Sequence, residues 1–162
     1  MSNKSNPIHG HPGLRLRSAN NTDIPALRKL IYGILSQHQL KPDPQNTDAD
    51  LNNLEEYYAD GYFVVMETEN MIIGSVALSP RDHCSVELRK MYLHADWRGQ
   101  GLGRLLLDKA LCEARRQNIR RVILETAETL KTAITMYQRA GFRPLQVEHL
   151  SPRCDQAWVL EF

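Results

Sequence analysis

The spacing of apolar positions changes repeatedly along this chain, and each change marks an element. Leu14 and Leu16 alternate with arginines and predict a short strand over residues 14–17. Ile24, Leu27, Leu30, Ile31 and Ile34 then recur at helical spacing, with Thr22 placed to N-cap them. Pro42 and Pro44 make residues 41–46 a loop. Asp48 or Asp50 starts a second helix through Leu51, Leu54 and Tyr58, and Gly61 ends it. Residues 62–67 and 71–78 are strand-like and joined by a polar turn at Glu69-Asn70, the pattern of a hairpin. After a turn at 80–83, residues 86–93 form a fourth strand. Leu107, Ala110, Leu111 and Ala114 then mark one helix face, with Arg104, Asp108, Glu113 and Arg115 on its wetter side. A short buried strand follows at 122–124, then a helix at 130–140 that Gly141 stops. Residues 142–147 and 157–162 supply two last strands. The order β-α-α-β-β-β-α-β-α-β-β, with no internal repeat, predicts one mixed α/β domain.

Composition narrows this picture. A chain of 162 residues that is 42% hydrophobic and 24% charged suits a single domain with a sizeable core. Residues 1–13 are polar, hold Pro7, Pro12, His9 and His11, and lack a secretory apolar stretch. They are expected to be a flexible N-terminal tail to a domain over 14–162. A formal net charge of +1 gives no general pull toward nucleic acid or an anionic membrane. No apolar run approaches the ~18–20 residues of a membrane span. Cys84, Cys112 and Cys154 are odd in number and scattered. They predict reduced thiols in a cytoplasm, with no metal site.

The densest chemical signal is Arg98-Gly99-Gln100-Gly101-Leu102-Gly103, which follows a strand and opens a helix. Such a turn aims backbone N–H groups one way, where the helix dipole adds positive potential, and so suits a phosphate. No Lys-Ser or Lys-Thr closes the run, which excludes a P-loop. A Gly-x-Gly-x-x-Gly fingerprint fails as well, because its third glycine would fall on Arg104 or Leu106. What fits is Arg/Gln-x-x-Gly-x-Gly/Ala, on Arg98, Gly101 and Gly103.

That pattern, with Glu87-Leu88-Arg89-Lys90-Met91-Tyr92-Leu93 before it, resembles the fourth strand and cofactor loop of the GNAT superfamily of N-acetyltransferases. Downstream, Ala133-Ile134-Thr135-Met136-Tyr137-Gln138-Arg139-Ala140-Gly141-Phe142 is similar to the family's Ala-x-x-x-Tyr-x-x-x-Gly-Phe helix. The resemblance implies an α/β (α+β) domain with a mixed central sheet of about six to seven strands and about four flanking helices. It implies direct acetyl transfer from acetyl-CoA to the primary amine of a small molecule or peptide, with acetyl-CoA as cosubstrate, no metal, and a possible homodimer. The other class to weigh is a CoA-binding regulatory or interaction module of the same fold that has lost catalysis.

Roles follow for particular residues. Backbone N–H groups from Gly99 to Arg104, through Gln100, Gly101, Leu102 and Gly103, would bind the pyrophosphate. Arg98 either adds charge there or is a solvated surface arginine. The resemblance implies that the main chain of Met91, Tyr92 and Leu93 pairs with the pantetheine amides. By spacing Tyr137 is a core aromatic; the resemblance implies that its hydroxyl protonates the leaving thiolate. Glu87 is either the general base for an ammonium acceptor or one half of a salt bridge. Simple alternation puts Glu87 on one strand face with Arg89, Met91 and Leu93, and a bulge would break that. One departure from the family is Leu130 where an Asn is common, so that contact to the cofactor arm is either missing or supplied by Thr126 or Thr129. Lys131, His38, His94, His149, Arg153, Cys154 and Asp155 are weaker candidates for the cofactor and acceptor ends.

Overall fold

The seven predicted strands are present with an eighth before them, and the computed structural model describes residues 5–162. The strands are β1 (Asn6–Ile8), β2 (His11–Ser18), β3 (Tyr62–Glu67), β4 (Ile72–Pro80), β5 (Ser85–Leu93), β6 (Arg121–Thr126), β7 (Arg143–Leu145) and β8 (Gln156–Glu161). The helices are α1 (Ile24–Gln37), α2 (Leu54–Tyr57), α3 (Leu102–Arg116) and α4 (Lys131–Arg139). The strands form one sheet in the order β1-β2-β3-β4-β5-β6-β8-β7. Every neighbouring pair is antiparallel except β5 and β6, which run parallel.

Each sheet face is covered by the apolar stripe of a helix. Leu102, Leu106, Leu107, Ala110, Leu111 and Ala114 of α3 pack with Val76, Leu78, Val86 and Leu88. Leu27, Leu30, Ile31, Ile34 and Leu35 of α1 pack with Phe63, Val65 and Ala77 on the other face. Each fully buried leucine contributes about 2 kcal/mol.

Three expectations are corrected. Residues 6–13 are not a loose tail: β1 pairs with β2, raising the strand count to eight; residues 1–4 lie outside the described part. Thr22 does not cap α1. Asn20 accepts from the Thr22 N–H and Asp23 from the Asn20 N–H, a capping box on the turn that leads into α1. The second helix is broken into a 3-10 turn at Ala49–Asn52 and the single-turn α2, because the residues meant to start it are occupied elsewhere.

Their occupation begins with a bulge in β5. Ser75 stands opposite Tyr92 and Ala77 opposite Arg89, so Val76 alone faces both Lys90 and Met91. Lys90 takes a φ of +50°, in the left-handed region. That conformation costs a side-chain-bearing residue about 1–2 kcal/mol. The bulge reverses the phase of the strand. Val86 and Leu88 before it, and Met91 and Leu93 after it, all join the α3 core. Arg89 turns toward the Tyr57 ring and Lys90 toward Asp48, on the α1 side, with Glu87 beside Arg89. Glu87 therefore does not share a face with Met91 and Leu93.

The Lys90 ammonium is buried among acceptors: Asp48 Oδ1 at 2.9 Å, Asp50 Oδ1 at 3.1 Å and the Thr47 carbonyl at 3.2 Å. Ser75 Oγ donates to the Lys90 carbonyl at 2.7 Å. Asp48 also receives both terminal nitrogens of Arg153, at 2.6 and 2.8 Å. Asp50 accepts the Tyr58 hydroxyl at 2.5 Å, and Arg89 donates to the Thr47 carbonyl at 2.6 Å. Asp48 and Asp50 are thus buried counter-charges, not helix starts.

Burial alone would raise the Asp48 carboxyl, but the Arg153 hydrogen bonds, the Lys90 charge and the Asp43 backbone N–H hold it well below the usual carboxylate range. A lowered folded pKa stabilises fully above the unfolded value of about 3.9 and is lost as pH falls through the folded value. Asp48→Asn should therefore destabilise the fold by about 3 kcal/mol near neutrality, by stranding buried cations. The gap to wild type should narrow below about pH 4 in urea melts run across pH.

Candidate active site

The parallel pairing of β5 with β6 covers only Ser85–Glu87 against Arg121–Ile123. Beyond Glu87 the two strands carry no ladder with each other, and a cleft of about 380 Å³ opens between them. One end meets the turn before α3; the other meets α1, the loop through Thr47 and the loop before β8. The residues predicted from sequence converge here. Glu87, Met91, Tyr92, Leu93, Arg98, Gly99, Gly101, Gly103, Arg104 and Tyr137 all line the cleft. Gln100 is exposed and does not line it, and Leu102 is buried in the core beneath.

At the turn, Gly99 and Gly101 take φ of +75° and +78°, which a side chain would strain. Gly101 precedes α3 and its carbonyl accepts the Leu105 N–H, so the N–H groups of Leu102, Gly103 and Arg104 lie in the acceptor-less first turn. Gly103 is different from the other two. A Cβ there would meet nothing of the protein closer than Met136 Sδ at 3.5 Å, an ordinary contact. Its missing side chain therefore serves access to the backbone rather than packing. Arg98 Nε donates to the Leu93 carbonyl at 3.1 Å, tying the turn to the end of β5.

Tyr137, on α4, is buried, packs on Phe142, and among the described residues its hydroxyl has no hydrogen-bond partner. Burial, then the neighbouring Tyr92 and Cys154, push it above the usual tyrosine pKa, so it is a neutral donor. Glu87 is raised by burial against the pull of Arg89 and Arg81, with Glu125 adding repulsion. Its ion pairs to Arg81 and Arg89 are long, 3.6 Å each. Both readings of Glu87 thus have a physical basis: it is paired, but weakly. Glu125 was missed by sequence reasoning. It lines the same cleft and spends one acceptor on the Ser151 N–H at 2.9 Å.

The weaker candidates divide. His38, Thr126, Thr129, Leu130, Lys131, Arg153 and Cys154 line the cleft. Burial and Glu125 push the Cys154 thiol up to about 11, which makes it a poor nucleophile. His94 instead caps the turn at Ala95–Trp97, and Asp155 accepts the Glu128 N–H at 2.9 Å. His149 does not line the cleft. Among the described residues no group of His, Cys, Asp or Glu is placed to hold a metal, and no helix is long and apolar enough to cross a membrane.

The family model described as "Acetyltransferase (GNAT) family" matches residues 28–142, from α1 through α4. The chain belongs to the GNAT family. Its activity is acetyl transfer from acetyl-CoA to an amine. The uncharacterized N-acetyltransferase YjgM of Escherichia coli K12 is 34% identical over 138 residues, covering 78% of this chain and 80% of that one. A GNAT acetyltransferase of Staphylococcus aureus Mu50 shares the fold, with TM-score 0.85 at 23% identity over 91% of this chain and 98% of its own. So does a GNAT acetyltransferase of Elizabethkingia anophelis with acetyl-CoA bound, with TM-score 0.64 at 16% identity over 94% and 100%.

Gly103→Ala separates packing from ligand access. It should leave thermal stability unchanged or raise it by up to about 1 kcal/mol, as glycine-to-alanine does inside a helix. Its Cβ should nevertheless weaken CoA binding, read by calorimetry.

Proposed function

We propose that this chain transfers acetyl from acetyl-CoA directly to a primary amine, with Tyr137 as proton donor and Glu87 as proton acceptor. The observation that carries this reading is the single cleft that Tyr137, Glu87, Glu125 and the glycine turn all line. The cofactor supplies an activated thioester; everything else falls to the protein. Unpaired N–H groups from Gly99 to Arg104 hold the pyrophosphate, helped by the dipole of α3. The unladdered edge of β5 at Met91, Tyr92 and Leu93 pairs with the pantetheine arm, and a backbone N–H there polarises the thioester carbonyl. Holding amine and carbonyl together supplies most of the acceleration.

Proton traffic runs in two directions. An alkyl ammonium with pKa about 10 must lose a proton before it attacks. Glu87, raised by burial, accepts it directly or through water, with Glu125 beside it. Tyr137 donates to the departing sulfur. The same dry surroundings that raise the phenol raise the thiolate, so the two remain matched. The catalytic domain is residues 14–162, with β1 added to its sheet edge. Free Cys84, Cys112 and Cys154 support a reducing compartment, the cytoplasm.

Tyr137→Phe should lower kcat by about 100-fold or more while the KM for acetyl-CoA changes little. Unchanged turnover would remove the donor role. The acid limb of kcat/KM should lie above the ordinary glutamate value of about 4.3, because burial raises Glu87. Glu87→Gln should abolish that limb; its loss in Glu125→Gln instead would move the base to Glu125.

A further inference from the structure

The acceptor end of the cleft is lined by three cations, Arg89, Lys90 and Arg153, and they are unequally answered. The Lys90 ammonium meets Asp48 at 2.9 Å, Asp50 at 3.1 Å and the Thr47 carbonyl at 3.2 Å. Arg153 gives both terminal nitrogens to Asp48. Among the described residues the Arg89 side chain makes one hydrogen bond, from Nη2 to the neutral Thr47 carbonyl at 2.6 Å. Its Nε is buried without a partner, 3.7 Å from Asp50 Oδ2, and its Nη1 stops 3.6 Å from Glu87 Oε1. No carboxylate of the protein thus reaches this guanidinium at hydrogen-bond distance, although a guanidinium carries five donors in a fork that fits a carboxylate. The Tyr57 ring centroid lies 5.6 Å from its central carbon, so ring and carbonyl hold the group in place without neutralising it. Glu87 is the complementary case. It lines the cleft, and among the described residues its carboxylate accepts no hydrogen bond; its ion pairs to Arg81 and Arg89 are 3.6 Å each.

We infer that Arg89 is a specificity residue and that the acceptor is an α-amino acid with an apolar side chain, its carboxylate on Arg89 and its ammonium on Glu87. A loose ion pair is a receptor for two opposite charges borne on one carbon. The ammonium and carboxylate of an α-amino acid are about as close to each other as the two protein charges are, so each meets its opposite with little movement of either side chain. The acceptor's carboxylate supplies the partner that Asp50 and Glu87 only approach. Lys90 and Arg153 do not compete for it on equal terms, because both already hold Asp48. An amine without a carboxylate leaves the guanidinium as underused as before, and an amide offers it only a neutral oxygen; both forgo a charge-assisted contact. The α1 side of the cleft is lined by Ile34, Leu35 and Leu40, a surface for an aliphatic side chain.

The inference rests on the transferase reading, and one experiment distinguishes their failures. CoA release from acetyl-CoA is measured with two matched series: leucine, leucinamide and isoamylamine; norleucine, norleucinamide and pentylamine. In each series the free amino acid should exceed the amide and the amine in kcat/KM by about tenfold or more, chiefly through KM. Isocaproate, which is leucine without its amine, should inhibit leucine acetylation competitively, and isocaproamide should not. Arg89→Gln should bring the leucine-to-isoamylamine ratio of kcat/KM close to one, and Arg89→Lys, which keeps a point charge without the fork, should restore part of it. A merely structural Arg89 would lower both substrates alike, so a preference that survives in folded Arg89→Gln overturns the assignment. If the variants melt early, the wild-type series and the inhibitor pair decide alone. Equal or better use of the amides or the amines overturns this inference and leaves the transferase reading standing. No CoA release from any of the six, with acetyl-CoA binding intact, overturns the transferase reading and this inference with it.

Discussion

A lysine that occupies the left-handed region inside a strand must be held there, and much of the molecule around the cleft is arranged to hold Lys90. Its backbone is fixed by Ser75 and its ammonium by acids from a segment forty or more residues earlier in the chain. Asp48 in turn holds Arg153, from near the C-terminus. Three segments distant in sequence therefore meet on one residue. Removing water from five charges is expensive, and the arrangement is tolerable because each charge has an opposite one within 4 Å, although Arg89 Nε and Asp50 Oδ1 make no hydrogen bond. Such a network adds little net stability over an apolar core of the same volume, so its effect is better sought in geometry. It sets the bulge, and the bulge decides which β5 side chains face which side of the sheet.

The division of labour along β5 follows. Before the bulge, Glu87 and Arg89 face α1 and carry charge; after it, Met91 and Leu93 are apolar and pack toward α3. One strand thereby presents two surfaces, a charged one toward α1 in its first half and an apolar one toward α3 in its second. The β5–β6 pairing ends at Glu87, before the bulge, and the candidate acid, the candidate base and the glycine turn all line the cleft that opens there.

Most of the fold was legible because its elements are strongly periodic. The helical stripes of α1 and α3 and the hairpin of β3 and β4 were read from spacing, since burial on one face enforces spacing. The glycine turn and Tyr137 were readable because a motif with fixed offsets carries its own context. Lys90, Asp48 and Glu125 were not, since each acts through a partner far away in the chain. The bulge did leave a trace. Val86 and Leu88 occupy even positions while Met91 and Leu93 occupy odd ones, a phase slip between Leu88 and Met91 that simple alternation overlooked. The N-terminal strand was hidden by two prolines, which are acceptable at a sheet edge, where Pro7 sits.

Beyond Glu87, β5 and β6 leave backbone groups without a partner strand. Most sheets keep their unsatisfied edges at the rim and blunt them with charge or short strands. Here two strand edges lie unladdered in the middle of the sheet, with the cleft between them. A backbone edge of that kind accepts an extended, amide-bearing partner as a sheet accepts a strand. The eight-stranded sheet is held across this point by only three residue pairs, so its two sides share little backbone beyond Glu87.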